Sequence, residues 1–346
     1  MNKDAIIGCL LGTAVGDALG LPYEGMSATR GVRVFPETSR HHLLFGKGMV
    51  SDDTEHACFV AQALIRSKGD VDKFQRQLAR SLRWWVVALP AGVGFATARS
   101  IIKLWCGISP QRSGVFSAGN GPSMRSSVLG VAFGNVPEKL QLYVKRSTEI
   151  THSDPKAYYA ALAVALAAHY NLRIELPSAI DYLQELESLL PDDAHDFLEL
   201  AHSAAASATS DEPVAQFAKK IGSKNGISGY SYHTVPCVLQ AWLRHGEDFE
   251  SGLQEIIRAG GDTDTVGAIY GGVVGARIGK QGIPKDWIDN IIEWPKSIAW
   301  IERLGCAVVD GEPKSPRYFR LGILFRNLFF LIVVLLHGFR RLLPPY

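Results

Sequence analysis

Gly8-Cys9-Leu10-Leu11-Gly12-Thr13-Ala14-Val15-Gly16-Asp17-Ala18-Leu19-Gly20 carries a glycine at every fourth position, and Gly267-Ala268-Ile269-Tyr270-Gly271-Gly272-Val273-Val274-Gly275-Ala276-Arg277-Ile278-Gly279 does so again. Both stretches are otherwise apolar enough to be helices of the core. A glycine inside a helix costs about 1 kcal/mol relative to alanine, so four in a row along one face require a return. Residues four apart share a face, and a row of glycines leaves a groove of bare backbone along the i±4 ridges where a second helix can approach closely. The two rows therefore read as tightly packed core helices. Each row ends or begins beside acidic residues, which such packing would hold rigidly.

Working outward, helical periodicity continues over 53–66, 72–88, 156–170, 234–244, 250–259 and 263–278, with apolar residues recurring at three and four. Several of these segments carry start or stop signals. Asp154-Pro155 and Thr234-Val235-Pro236 place a cap just before a proline, and Gly260-Gly261 ends one helix before the next begins. Strand-like alternation is nearly absent, and 32–35 is the one short piece expected to be extended. The expectation is an all-α domain over 1–305, a Pro- and charge-containing linker over 306–320, and a hydrophobic, basic tail over 321–346.

Composition fits this reading. The 346 residues are 47% hydrophobic and 20% charged, with a formal net charge of +2, which excludes a nucleic-acid coat or an acidic tail. The five cysteines are widely spaced with no CxxC, as in a chain from a reducing cytoplasm. Ile6-Ile7-Gly8-Cys9 superficially resembles a lipoprotein cleavage box. Almost no apolar segment precedes Cys9, and Lys3-Asp4 makes a poor leader, so a signal peptide is not expected.

Two acidic clusters carry the chemistry. Ser51-Asp52-Asp53-Thr54-Glu55 and Asp262-Thr263-Asp264-Thr265 each open a helix after glycines, at Gly46 and Gly48 in one case and Gly260-Gly261 in the other. Taken singly, each is explained by capping and the helix dipole. Together they supply four aspartates flanked by hydroxyls. These are hard oxygen donors that suit Mg²⁺ or Mn²⁺, without the His or Cys set of a zinc site. A further irregular stretch, 113–130, contains Gly119-Asn120-Gly121-Pro122-Ser123 and precedes a helix start near Ser123. It reads either as a surface turn or as a backbone cradle for phosphate. Tyr230, Tyr232 and His233 are available either to stack on a ligand or to pack the rim. Trp84-Trp85 reads as core or rim.

In order along the chain, Gly8-Cys9-Leu10-Leu11-Gly12, Gly16-Asp17-Ala18-Leu19-Gly20, Tyr23-Glu24, Ser51-Asp52-Asp53-Thr54, Gly119-Asn120-Gly121-Pro122-Ser123-Met124-Arg125, Thr151-His152 with Asp154, and Gly260-Gly261-Asp262-Thr263-Asp264-Thr265 resemble the ADP-ribosylglycohydrolase family, which includes the dinitrogenase-reductase-activating glycohydrolases. The resemblance implies a compact orthogonal all-α bundle with a site for two Mg²⁺ or Mn²⁺ ions. By resemblance the metal ligands are Ser51, Asp52, Asp53, Asp262, Asp264 and Thr265. Glu24 sits at the same centre, as a further ligand or an acid/base group, and Asp53 or Glu24 is the general base. Asn120, Gly121, Ser123, Met124 and Arg125 line an ADP-ribose cleft, with His152 nearby. Many members have threonine where this chain has Ser51; the hydroxyl is retained. The implied activity is removal of ADP-ribose from a modified side chain or small acceptor, so the partner is an ADP-ribosylated protein or metabolite.

Two other classes compete. A non-catalytic ADP-ribose-binding module would keep the donors without turnover. A Mg²⁺-dependent all-α diphosphate-processing enzyme would place its acids inside long helices that face a large apolar cavity. For the tail, residues 321–343 are strongly apolar but interrupted at Arg326 and Asn327, short of the ~20 clean residues of a span. A short anchor, an interfacial helix and a docked helix are the alternatives, and contact with the inner face of a membrane is the expectation.

Overall fold

The computed structural model describes residues 2–173 and 178–344. Helices supply nearly all the regular structure, and the paired strands are two residues each, Met26–Ser27 against Gly260–Gly261. The fold is all-α.

Its axis is the pair of glycine helices, Lys3–Gly20 and Thr263–Ile278. They run antiparallel with backbones in direct contact. A Cβ placed on Gly8, Gly12, Gly16 or Gly20 would lie 2.1, 2.0, 1.9 and 2.1 Å from the carbonyl oxygens of Gly275, Gly271, Gly267 and Thr263. No side chain larger than hydrogen fits this contact, so the glycine rows are explained by packing. Antiparallel pairing also sets the site, because it lays the start of Thr263–Ile278 beside the end of Lys3–Gly20. Thr263 Oγ1 donates to the Gly20 carbonyl at 2.8 Å and fixes that register.

Other helices wrap this axis. Pro155–Tyr170 is alanine-rich and almost wholly buried, and packs on Thr263–Ile278. Its proline follows Asp154, whose carboxylate accepts from Lys156 N as an N-cap. Asp52–Ser67 packs on Lys3–Gly20 and on Val71–Trp85.

Three expectations require correction. Residues 32–34 belong to the helix Ala28–Val34, because Ser27 Oγ caps that helix by accepting from Arg30 N; a helical start signal overrides a short β-branched run. The helix expected from Thr234 starts at Ser231, so Pro236 is internal to Ser231–His245 and Thr234 is not the cap. Instead, the Thr234 hydroxyl donates to the Ser228 carbonyl. Residues 306–309, expected in the linker, are the last turn of Ile298–Val309, which packs on Lys3–Gly20.

After Glu312 the chain runs to a final helix, Arg320–Arg340, that docks on the domain. Its buried residues are Gly322, Arg326, Asn327, Phe330, Val333 and His337. Arg326 pairs with Glu293, with both side chains buried. Asn327 Nδ2 donates to the Ala88 carbonyl at 2.8 Å, and His337 Nε2 bonds the Pro22 carbonyl at 2.9 Å. Phe330 and Val333 share a small apolar cluster with Leu21, Leu43 and Met49. Residues 345 and 346 of the expected tail lie outside the described residues.

Candidate metal centre

The centre is assembled from the ends of three helices. Asp17, one position beyond a glycine of the first row, is buried within Lys3–Gly20. Its carboxylate accepts from the Ser51 N–H at 2.9 Å, the Thr54 N–H at 3.1 Å and the Thr54 hydroxyl at 2.5 Å. Asp17 thereby binds the orphan N–H groups at the start of Asp52–Ser67 and anchors the first acidic motif to the glycine axis. Sequence alone assigns Asp17 no role. The available signal was an acid flanked by Gly16 and Gly20 in a row otherwise free of charge.

Ser51 is the N-cap of Asp52–Ser67: its Oγ accepts from Asp53 N at 3.3 Å and donates to Asp53 Oδ2 at 3.1 Å. From the other motif, the Thr265 hydroxyl donates to the same Asp53 oxygen at 3.2 Å. This bond joins the two acidic motifs directly, 212 residues apart in sequence. Asp264 Oδ1 accepts from Thr265 N at 2.9 Å. The second motif is shaped by Gly260 and Gly261, both at positive φ (+73° and +91°). A Cβ on Gly261 would meet the Ile227 carbonyl at 2.0 Å, and that same carbonyl accepts from Asp262 N at 2.7 Å.

Glu24, Asp262 and Asp264 bring oxygens within 4.8 Å of one another. Glu24 is exposed and Asp52 and Asp262 are partly so, whereas Asp17, Asp53 and Asp264 are buried. Among the described residues, Asp17, Asp52, Asp53, Asp262 and Asp264 have no Lys, Arg or His ion-pair partner. Charge is therefore uncompensated. Burial raises the Asp17 carboxyl to about 7. Asp53 is held well above the usual carboxylate range by burial and by Asp52, Asp17 and Asp262. Asp264 is raised by burial and then by Glu24, Asp262 and Asp53. Loss of hydration and then the Asp17 charge raise Asp52; partial loss of hydration and then Asp262 raise Glu24. Asp53 Oδ1 is buried without any hydrogen-bond partner among the described residues. A buried, unpaired carboxylate oxygen amid like charges is costly, and hard divalent cations are what such an oxygen set fits.

Beside the acids, Asn120 Nδ2 donates to Asp262 Oδ2 at 2.7 Å and to Thr234 Oγ1 at 3.0 Å. Asn120 and Gly121 remain partly accessible. Ser123, Met124, Arg125 and His152 are buried, so Asn120 and Gly121 carry the accessible surface of this loop. Arg125 is tied to Ser147 Oγ (3.0 Å), the Ser147 carbonyl (2.9 Å) and Thr151 Oγ1 (2.7 Å), and burial lowers it to about 9. These bonds fix the turn that carries His152, whose Nδ1 bonds Thr151 Oγ1. Burial and then Arg125 push the imidazole down to about 3, so it is neutral. The His152 ring lies beneath Gly119 and Gly121, where a Cβ would come within 2.9 and 3.1 Å of it. The 119–125 loop is not an open phosphate cradle throughout, because the N–H groups of Asn120, Ser123 and Met124 already donate to backbone carbonyls.

Trp85 is buried and donates to Glu55, whereas Trp84 is exposed. Tyr230 and Tyr232 lie under the Lys156 ammonium at 5.9 and 5.1 Å. Both acidic motifs sit at helix starts rather than mid-helix, which does not fit the diphosphate-processing alternative.

The family described as ADP-ribosylglycohydrolase matches residues 2–316. An uncharacterized protein of Archaeoglobus fulgidus is 31% identical over 292 residues, covering 82% of this chain and 90% of that protein. The ADP-ribosyl-[dinitrogen reductase] glycohydrolase of Rhodospirillum rubrum is 27% identical, covering 83% and 90%. The human ADP-ribosylhydrolase ARH3 is 26% identical, covering 81% and 87%. A solved structure titled "ADP-ribosylglycohydrolase-related protein complex" superposes with a TM-score of 0.65 at 28% identity, covering 89% of this chain and 98% of that one.

Proposed function

Because the chain belongs to the ADP-ribosylglycohydrolase family, we propose that it is a metal-dependent hydrolase that releases ADP-ribose from a modified side chain or small acceptor. The observation that carries the metal dependence is the Asp53 carboxylate. One oxygen is shared by Ser51 and Thr265, and the other is buried without a partner among further acids.

Ser51, Asp52, Asp53, Asp262, Asp264 and Thr265 would hold Mg²⁺ or Mn²⁺, two ions by the size of the donor set. When bound, such ions supply Lewis acidity toward water and the ribose hydroxyls. The protein's own groups do the rest. Glu24 is the exposed carboxylate of the cluster, with its side chain free of hydrogen bonds among the described residues. It is placed to take a proton from an attacking water. The water oxygen bonds to the anomeric carbon of the distal ribose as the glycosidic bond breaks. The bonding pair leaves with the acceptor nitrogen or oxygen, and the proton held by Glu24 returns to that leaving group. Asn120 is fixed through its Nδ2 by Asp262 and Thr234, so its Oδ1 is presented to accept from a substrate hydroxyl. Gly121 lets substrate approach the backbone above the neutral His152.

The test is release of ADP-ribose by the full-length protein from arginine-, serine- and nucleic-acid-linked ADP-ribose, with Mg²⁺, Mn²⁺ or EDTA. Release that needs metal, with Glu24→Gln lowering kcat, is the expected result. Metal-dependent binding of ADP-ribose with no release from any acceptor would make the chain a binding module.

A further inference from the structure

The final helix begins beyond the family match, which ends at 316, and its two faces differ in kind. The polar residues Arg326, Asn327 and His337 all face the domain and are satisfied there. The opposite face is apolar and bare. Leu321, Phe325, Ile332, Leu336 and Phe339 are 56–66% exposed, and Leu342 and Leu343 continue the stripe. Twenty-one residues of helix span roughly 31 Å, and an apolar patch of that extent marks a contact surface. Segments that touch the helix add to it. Val87 and Leu89 flank Ala88, Phe45 follows Leu44, and Trp294 precedes Pro295; all four are exposed.

Charge distinguishes the partner. After Glu312 the chain has no acidic residue, while Lys314, Arg317, Arg320, Arg340 and Arg341 follow. At the start of the helix lies a cleft of about 990 Å³ lined by Arg66, Arg80, Lys296, Lys314, Arg317 and Arg320, with Ile323 of the helix itself at its edge. The one carboxylate in that lining is Glu55, which accepts from Trp85 Nε1 at 2.7 Å and lies 3.8 Å from Lys296. Among the described residues the other five cations have no carboxylate partner. Gln62, only 2% exposed, also lines the cleft, and its Nε2 has no hydrogen-bond partner among the described residues. Six cations and an unused buried donor beside an apolar helix are a site for phosphate carried on an apolar body.

We propose that the outward face of the Arg320–Arg340 helix and this cleft together dock the protein on an anionic phospholipid bilayer, with the helix in the interfacial plane and lipid phosphates in the cleft. A protein partner would ordinarily be met by hydrogen-bonding groups across the patch, and the exposed stripe offers only leucine, isoleucine and phenylalanine. Spanning is disfavoured because it would strip Arg326, Asn327 and His337 of their partners inside hydrocarbon. The docking does not depend on the hydrolase reading. It does bear on that reading's site, because Arg341 donates to the Glu24 carbonyl and so sets the mouth of the acidic centre beside the membrane-facing helix.

The test is flotation of the full-length protein with phosphatidylcholine vesicles, with and without about 30% phosphatidylglycerol, at low and high salt. The variants are Arg80→Glu/Arg317→Glu in the cleft and Phe325→Asp/Ile332→Asp on the helix. Both pairs are partly or fully solvent-facing, and unchanged melting temperatures establish that they fold. Binding to anionic vesicles at least about tenfold tighter than to neutral ones, weakened by salt and by each pair of substitutions, is the expected result. Equal binding to neutral vesicles, or no flotation at all, would overturn the proposal. Two other outcomes would also overturn it: resistance to alkaline extraction, which indicates a span, and a Phe325-dependent dimer that ignores vesicles.

Discussion

Two segments of this chain, Lys3–Tyr23 and Arg320–Arg340, have the same length of 21 residues and similar mean hydropathy, 1.6 and 2.0, yet within their apolar 18-residue windows 94% of the first and 39% of the second is buried. What differs is the residue that recurs along one face. In the first it is glycine, and two backbones meet with nothing between them. In the second it is Gly322, Arg326, Phe330, Val333 and His337, a seam of mixed character that binds the domain through specific polar bonds and leaves the large apolar side chains outside. Apolar content alone does not decide where a helix goes; the spacing of its smallest and its most polar residues does.

The contrast is broken most severely at the glycine axis. Gly16→Leu puts a side chain where a Cβ already lies 1.9 Å from the Gly267 carbonyl, and two backbones cannot yield as a side chain can. The expected outcome is no folded monomer by size exclusion and circular dichroism. A smaller effect is expected at the polar seam. Arg326→Ala leaves Glu293 buried and unpaired, costing about 3–5 kcal/mol in urea unfolding. The double variant Arg326→Met/Glu293→Leu should recover most of that. Because Arg326 also donates to the Val50 carbonyl, next to Ser51, the single variant should weaken metal binding as well.

A third effect follows from the acidic cluster. Asp17, at about 7 when folded and about 3.9 when unfolded, binds its proton more tightly in the folded state. Metal-free protein should therefore be most stable below about pH 4 with respect to this group, and should lose that stability as pH rises through 7. A melting temperature that falls by several degrees between mildly acidic and mildly alkaline pH, and that added Mn²⁺ restores, is expected from differential scanning fluorimetry. The smallest effect belongs to the exposed stripe: Ile332→Ser should change stability by no more than about 0.5 kcal/mol.

Much of the architecture was readable from sequence because it rests on local signals. Ser51 caps Asp52–Ser67 as its sequence implies, although Asp262 makes no side-chain cap for Thr263–Ile278, and the glycine rows pack as their spacing requires. What was not readable depends on contacts across the chain. Asp17 caps a helix that begins 35 residues later, and nothing local marks that pairing. Arg125 looks like a ligand-binding arginine in a glycine-rich loop, yet its Nε and Nη2 are taken by Ser147 and Thr151. Ser27 overrides the β-branched character of 32–34 through one cap. In the tail, the spacing of Arg326, Phe330, Val333 and His337 did carry the seam at helical intervals, but the surrounding leucines and phenylalanines masked it.

The central claim is that the two acidic motifs form one divalent-cation site, and titration of Mn²⁺ into metal-free protein tests it most directly. Calorimetry on the wild type, Asp53→Asn and Asp264→Asn would read the result. The account predicts two Mn²⁺ per wild-type chain, with either substitution weakening binding by at least about a hundredfold. A motif whose loss left binding at the other untouched would contradict it.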